Sequence, residues 1–180
     1  LVPMNFRARE DEARHLLDDS GAKVVFADKR YQELLAEVRS PKTERIVYLD
    51  GDYEQLLDAT EPDYDISFEV EDDDIAVLMY TSGTTSLPKG VQLTHGGLTV
   101  YVMGNGEVTD GTPKGSTLVS APMYHVAGLG SLLVSLFSGR RVVAMPQFKA
   151  EDWMDLVDRY QIGHAFLVPT MLAMVLDSPK

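Results

Sequence analysis

The sequence predicts an α/β fold, with a mostly parallel sheet and helices on both faces of that sheet. Short apolar runs of the kind found in buried strands alternate with segments of helical period along almost the whole chain. The strand-like runs are continuously apolar, as in strands that are covered on both sides. With 180 residues, of which 44% are apolar, the chain has enough material for a core of domain size.

Three helices and two strands are predicted before residue 60. Residues 10–21 have acidic residues in the first turn, apolar side chains on one face and a final glycine, which together predict a helix that stops at the glycine. Residues 23–28 and 45–50 are short apolar runs and predict buried strands. Residues 29–39 repeat the helical period, and residues 53–59 predict a short helix.

The same alternation continues after the apolar run 74–80, which predicts a strand. Residues 95–108 have a helical pattern that four glycines weaken, and residues 124–139 predict a helix that ends at a glycine. The remaining predicted elements are strands at 116–122, 140–145 and 164–169, and helices at 149–161 and 170–178.

An acidic, turn-rich segment at about residues 60–74 lies inside this pattern. Five of the six residues from Glu69 to Asp74 are acidic. Such a run is typical of a solvated linker, and we prefer that interpretation to a carboxylate metal cluster, which requires side chains that converge on one point.

The overall charge limits the possible partners. Sixteen basic and 28 acidic residues give a net charge of -12, which argues against a broad nucleic-acid surface and against binding to anionic membranes. A small anionic ligand is still compatible, because a loop of backbone N–H groups with one lysine is locally positive.

The chain has no cysteine, so disulfides, thiolate metal sites and catalytic thiols are excluded. Its first residues lack the pattern of a signal peptide, and we expect a cytoplasmic protein without a transmembrane segment.

The stretch "YTSGTTSLPKGV", residues 80–91, carries the chemistry of a phosphate-binding loop. A glycine allows close approach of an anion, hydroxyls can bond phosphate oxygens or a hard Mg²⁺ ion, and a lysine adds a mobile positive charge. The candidate phosphate-binding residues are Thr81, Ser82, Gly83, Thr84, Thr85 and Lys89. The loop is not a Walker A motif, because five residues separate Gly83 from Lys89 and the lysine follows a proline.

This stretch and its surroundings resemble the adenylate-forming family, which includes acyl-CoA synthetases, aryl-CoA ligases, luciferases and peptide-synthetase adenylation domains. The resemblance extends to "EARHLLDDSGAKVVFAD" before the loop and to "GVQLTHGGL", "APMYHVAGLGSLLVSLFSGRRVV" and "FKAEDWMDLVDRYQIGHAFLVPTMLAMVL" after it. It covers nearly the whole chain. It implies that residues 1–180 are an internal, truncated portion of the family's large N-terminal (AMP-binding) domain, without the C-terminal domain.

The resemblance also implies a chemistry in two steps. A carboxylate, expected to be that of a fatty acid, attacks the α-phosphate of ATP to give an acyl-adenylate and pyrophosphate, and a thiol, often that of coenzyme A, then accepts the acyl group. Residues 81–85 and Lys89 would hold the β- and γ-phosphates, with Thr84 as a Mg²⁺ contact. Ser86 stands where the family most often has glycine, and a positive φ there would strain it.

One histidine matches a family position at the junction of the acyl and nucleotide pockets. This is His125, for which we favour a substrate-site role over that of a satisfied core histidine. Residues 126–129 would line the acyl pocket or serve only in helix packing. No catalytic residue is assigned within this chain.

Two further expectations follow from a truncated chain of this family. The 180 residues alone should have no ligase activity, and their exposed strand edges should favour self-association. The alternatives to the ligase are a non-catalytic truncated module that binds a nucleotide or a partner, and part of an amino-acid-activating adenylation domain.

Overall fold

A computed structural model describes residues 1–64, 68–81 and 87–179. The chain divides into two compact units, residues 1–92 and residues 93–180, and each unit is described by itself. Over the described residues the helices and strands are α1 (Glu10–Ser20), β1 (Val24–Ala27), α2 (Gln32–Val38), β2 (Arg45–Tyr48), α3 (Asp52–Asp58), β3 (Ile75–Thr81), β4 (Lys89–Thr94), α4 (His95–Asn105), β5 (Ser116–Val119), α5 (Val126–Phe137), β6 (Arg141–Ala144), α6 (Ala150–Tyr160), β7 (Ile162–Phe166) and α7 (Pro169–Leu176).

The first unit is built on a parallel pair of strands covered by helices. Strands β1 and β2 pair in register from Val24 opposite Arg45 to Ala27 opposite Tyr48. Helix α1 packs against α2. The apolar side chains between the helices form a buried cluster of Ala13, Leu17, Leu35 and Val38. Full burial of a leucine or valine side chain contributes about 1.5–3 kcal/mol, so this small cluster is enough to hold the two helices together.

Helix α1 ends where the sequence predicts. Its last residue is Ser20, and Gly21 follows with φ +63° and ψ +28°, a left-handed conformation that glycine adopts without steric cost. The predicted glycine stop is therefore confirmed. The end of the helix is fixed, and the chain turns from there into β1.

The second unit has a parallel three-stranded sheet with β5 in the centre, between β6 and β7. All four residues of β5 are buried, as a central strand requires. The ladder with β7 is interrupted between Ser116 and Thr117, because Ser116 pairs with Ile162 whereas Thr117 pairs with His164. Helices α5 and α6 both pack against β5.

The α/β class and the parallel pairing are confirmed, and four details differ from the prediction. The described strands form three separate sheets instead of one continuous sheet. Helix α4 ends at Asn105, since Gly106 takes an extended conformation, and β7 begins at Ile162. Strand β4 was not predicted, because its residues follow a proline and include Gly90, which has a low strand propensity.

The acidic segment has no regular structure in its described part. Residues 60–64 and 68–74 are exposed and belong to no helix or strand, and residues 65–67 lie outside the described residues. The segment closes with a turn in which the Glu71 N–H donates to a carboxylate oxygen of Asp74 at 3.0 Å and the Asp74 N–H donates to the Glu71 carbonyl at 3.0 Å. This turn leads directly into β3.

Among the helices that the structure describes, none has the length and apolar character needed to cross a membrane.

Candidate functional site

The candidate phosphate loop is held between two paired strands of the first unit. Strand β3 ends at Thr81, and β4, its partner in the sheet, begins at Lys89. The structure thus places these two predicted residues at the two stems of one loop. Five loop residues lie outside the described ranges: Ser82, Gly83, Thr84, Thr85 and Ser86. The phosphate contacts of the first four, the Mg²⁺ contact at Thr84 and the strain at Ser86 therefore stay predictions.

The stem that β3 provides is firmly anchored. Val77 and Met79 point into the interior and are 5% and 4% exposed, whereas Thr81 at the end of the strand is exposed. The backbone of Leu1 also bonds this strand, because its N-terminus donates to the Ala76 carbonyl at 2.9 Å and its carbonyl accepts from the Leu78 N–H at 2.9 Å. The alternation of buried and half-buried residues and this added backbone pairing fix where Thr81 emerges.

The glycine after Lys89 has a packing role. A Cβ atom at Gly90 would lie 2.9 Å from Leu78 Cδ1 and 3.4 Å from Tyr80 Cζ. A side chain at this position would push the Leu78 and Tyr80 side chains aside, so glycine lets β4 lie close to them without displacing them. The Pro-Lys-Gly sequence therefore brings the lysine onto a strand that lies tightly against the other stem.

Helix α1 contacts both stems through side chains one turn apart. His15 Nε2 lies 2.9 Å from the Pro88 carbonyl oxygen, next to Lys89. The Tyr80 hydroxyl, next to Thr81, donates to an Asp19 carboxylate oxygen at 2.5 Å. The rings of His15 and Tyr80 meet edge to face, with 6.1 Å between their centroids. These contacts were not predicted from the sequence, because the i, i+4 spacing puts His15 and Asp19 on one helix face but nothing local shows which strand that face meets.

The electrostatics at the Tyr80 stem keep its phenol protonated. Burial, the hydrogen bond to Asp19 and the negative charge of that carboxylate together raise the pKa of Tyr80 above its ordinary value. The hydroxyl therefore remains a hydrogen-bond donor at neutral pH and well above it.

Lys89 is exposed at the other stem. The ion pairs formed among the described residues join Lys23 to Glu44, Arg30 to Asp28 and Lys149 to Asp152, and none includes Lys89. An exposed ammonium group that no described carboxylate neutralises, at the start of the strand that pairs with the one ending at Thr81, suits the binding of an anion. Within the described ranges no group of three or more His, Asp or Glu side chains is placed to hold a metal ion.

His125 belongs to the second unit, where it precedes helix α5. Its backbone N–H donates to the Pro122 carbonyl at 3.0 Å, and its carbonyl accepts from the Leu129 N–H at 3.1 Å, so it begins the hydrogen-bonding pattern of the helix. The side chain is exposed and makes no capping bond, and its ring lies 4.5 Å from that of Tyr124. The imidazole is thus outside the core of this unit, and its substrate-site role stays a prediction.

The residues after His125 divide between packing and exposure. Gly128 is buried, and a Cβ atom there would overlap the Pro122 carbonyl oxygen and lie 2.6 Å from the Ala121 carbonyl oxygen. Leu129 is 7% exposed, whereas Val126 is 59% exposed. Gly128 and Leu129 therefore contribute to packing, Val126 is exposed, and the role of residues 126–129 in an acyl pocket stays a prediction.

Comparison with known proteins identifies this arrangement. The family model of the AMP-binding enzyme matches residues 1–180. The chain belongs to the AMP-binding enzyme family. The resemblance of the loop and its flanking segments to this family is thereby confirmed.

Relatives and solved structures agree with the assignment to the AMP-binding enzymes. A feruloyl-CoA synthase from an Amycolatopsis species is 33% identical over 181 residues, which cover 100% of this chain and 35% of the relative. The long-chain-fatty-acid–CoA ligase FadD13 of Mycobacterium tuberculosis is 32% identical over 188 residues, or 99% of this chain and 36% of the relative. The chain thus spans about a third of the length of these curated relatives.

Two solved structures share the fold of this AMP-binding chain. The inhibitor-bound N-terminal domain of FACL13 from Mycobacterium tuberculosis has a TM-score of 0.86 and 28% identity, covering 99% of this chain and 46% of that one. ATP-bound MatB from Rhodopseudomonas palustris has a TM-score of 0.85 and 25% identity, covering 99% of this chain and 36% of that one.

Proposed function

We propose that this chain is the phosphate-binding part of an ATP-dependent acid–thiol ligase, which activates a carboxylic acid as its acyl-adenylate and transfers it to coenzyme A. The observation that carries the proposal is the family match over all 180 residues, which includes the loop between β3 and β4. The two relatives described above are a CoA synthase and a CoA ligase, and one structural neighbour is described as ATP-bound.

The residues of this chain would act on the triphosphate of ATP. Adenylation requires that a flexible and highly charged tail be held still while pyrophosphate departs. The Lys89 ammonium group would neutralise negative charge on the β- and γ-phosphates, and Thr81 would donate its hydroxyl from the facing stem. A Mg²⁺ ion, when bound, would add charge neutralisation, and the hydroxyls of the loop are hard oxygen ligands of the kind it prefers.

For the acid, we propose an apolar carboxylate, with a fatty acid as the specific candidate. The relatives support a carboxylic acid without fixing its type, because their names include feruloyl, 2-succinylbenzoate and long-chain fatty acyl groups. The exposed His125 and Val126 are the residues of this chain that we propose to meet the acid.

The test is ATP–pyrophosphate exchange with the protein encoded by the complete reading frame. Fatty acids of increasing length, hydroxycinnamic acids and amino acids serve as separate arms. Exchange with fatty acids alone supports the specific candidate, and exchange with amino acids alone supports an adenylation domain. Absence of exchange with every acid would refute the ligase proposal.

The contribution of Lys89 is measured with Lys89→Ala. A hydrogen bond to a charged group contributes about 1.5–3 kcal/mol, so the exchange efficiency at limiting ATP should fall roughly 10- to 150-fold. Lys29→Ala is the matched control, because it removes an equally exposed lysine of the same unit. Equal effects of the two substitutions would exclude the proposed role of Lys89.

A further inference from the structure

Helix α1 contacts the two ends of the candidate phosphate loop with adjacent side chains on one face. His15 contacts the Pro88 carbonyl, and Asp19 accepts from the Tyr80 hydroxyl. The partners in these contacts are 73 and 61 residues apart in the chain. Two side chains one helical turn apart thus connect the two stems through a single rigid element.

The contact with Pro88 requires a hydrogen-bond donor at Nε2 of the His15 imidazole. A carbonyl oxygen accepts hydrogen bonds and cannot donate, so Nε2 of His15 must carry a hydrogen. The imidazole is partly buried between Pro88 and the ring of Tyr80. His15 is therefore an oriented donor in this structure.

This contact fixes the peptide from which Lys89 starts. The Pro88 carbonyl and the Lys89 N–H belong to one planar peptide group, and the pyrrolidine ring already restricts φ of Pro88. An N–H group that holds the carbonyl oxygen therefore orients the plane of this peptide. The direction in which the Lys89 side chain leaves the backbone then depends on His15.

The second contact does the same at the opposite stem. Tyr80 precedes Thr81, and its hydroxyl is held by Asp19 while its ring covers the bare backbone of Gly90. Rotation of the Tyr80 side chain would break the bond to Asp19 and open the close contact with β4. Both residues that flank the loop on the described stems are thus held through α1.

We propose that His15 and Asp19 are positioning residues of the phosphate loop, which hold Lys89 and Thr81 in the orientation that receives the phosphates of ATP. This inference rests on the proposed function. Donors that are already oriented need no rearrangement when an anion binds. Loss of the His15 or Asp19 contact should therefore weaken the binding of ATP or pyrophosphate more than the binding of the acid.

The test uses His15→Phe, which keeps a planar ring and removes the donor, and His15→Gln, which places an amide donor near the position of Nε2. In the protein from the complete reading frame, we expect His15→Phe to raise the KM for ATP roughly 2- to 13-fold, the range for one hydrogen bond, with the KM for the acid unchanged. His15→Gln should restore most of the loss. Tyr80→Phe, which frees Asp19, should change the KM for ATP in the same direction.

The matched control is Arg14→Ala. Arg14 lies on the same helix and donates to the Glu37 carbonyl at 2.9 Å, so its loss removes one contact of α1 without touching the loop. It should lower the melting temperature as His15→Phe does and leave the KM for ATP unchanged. Equal KM values for ATP in His15→Phe, Arg14→Ala and the wild type would overturn the inference.

Calorimetric titration with inorganic pyrophosphate separates this inference from the ligase proposal. If the wild type binds pyrophosphate but shows no exchange with any acid, the ligase proposal fails, and weaker binding by His15→Phe still supports the positioning role. If the wild type neither exchanges nor binds pyrophosphate, both fail.

Discussion

The start of helix α5 gives the sharpest test of the packing described above. Gly128 is buried where the helix lies on the carbonyl groups of Ala121 and Pro122. A Cβ atom there would overlap the Pro122 oxygen and lie 2.6 Å from both the Pro122 carbonyl carbon and the Ala121 oxygen. All three atoms belong to the backbone, so no side chain can rotate to relieve the overlap. Gly128→Ala must therefore displace the turn that carries His125.

The magnitude follows from two opposing effects. Alanine in a helix interior gains roughly 0.5–1 kcal/mol over glycine, since glycine loses more conformational entropy on folding. Overpacking a close contact costs typically about 1–3 kcal/mol, and the backbone overlap places this substitution at or beyond the upper end. We expect a net loss of about 2 kcal/mol in the free energy of unfolding, which corresponds to roughly 4–8 °C in melting temperature for a chain of this size.

The assay is chemical and thermal unfolding followed by circular dichroism, with Gly104→Ala as the matched control. Gly104 is an exposed residue of α4, and a Cβ atom there would meet nothing within 4 Å. Gly104→Ala should leave the free energy of unfolding unchanged or raise it, because alanine has the higher helix propensity. A Gly128→Ala protein as stable as Gly104→Ala would refute the close contact between α5 and the preceding turn.

Two further predictions concern pH. Desolvation, followed by the nearby Arg140 charge, lowers the pKa of His164. The unfolded chain therefore binds this proton at a higher pH than the folded chain, and the free energy of unfolding decreases as pH falls below about 6.5. NMR titration should show that Arg140→Gln raises the pKa of His164, and an unchanged pKa would exclude the Arg140 effect. The raised pKa of Tyr80 gives the opposite pH dependence of stability. Its contribution to the free energy of unfolding is fully present below pH 10 and is lost as pH rises toward the pKa of the folded chain. Tyrosinate absorbance should therefore show one group that ionises late and is missing in Tyr80→Phe, and identical titrations of the two proteins would contradict the contact with Asp19.

The sequence predicts elements well wherever the signal is local. The glycine stop of α1 and the buried run of β5 follow from propensity and apolar pattern within a few residues. Strand β4 escaped prediction because its stability comes from pairing with β3, while its own sequence opens with Lys89 and Gly90.

The site was predictable only in part for the same reason. The hydroxyls, glycine and lysine of the loop are adjacent in the sequence, so their chemistry was evident. The contacts of His15 and Asp19 join residues that are 73 and 61 positions apart, and a helix pattern shows which face is shared without showing what it meets. Their part in holding the loop therefore required the structure.

The close packing of α5 on the preceding turn determines which positions near His125 tolerate substitution. Gly128 anchors the helix through its backbone, while Met123 and Val126 on either side of His125 are 40% and 59% exposed. The position that holds the helix is thus different from the positions that present side chains outward. Random substitution at Met123 and Val126, with Gly128 kept constant, should change the surface around His125 without unfolding the unit.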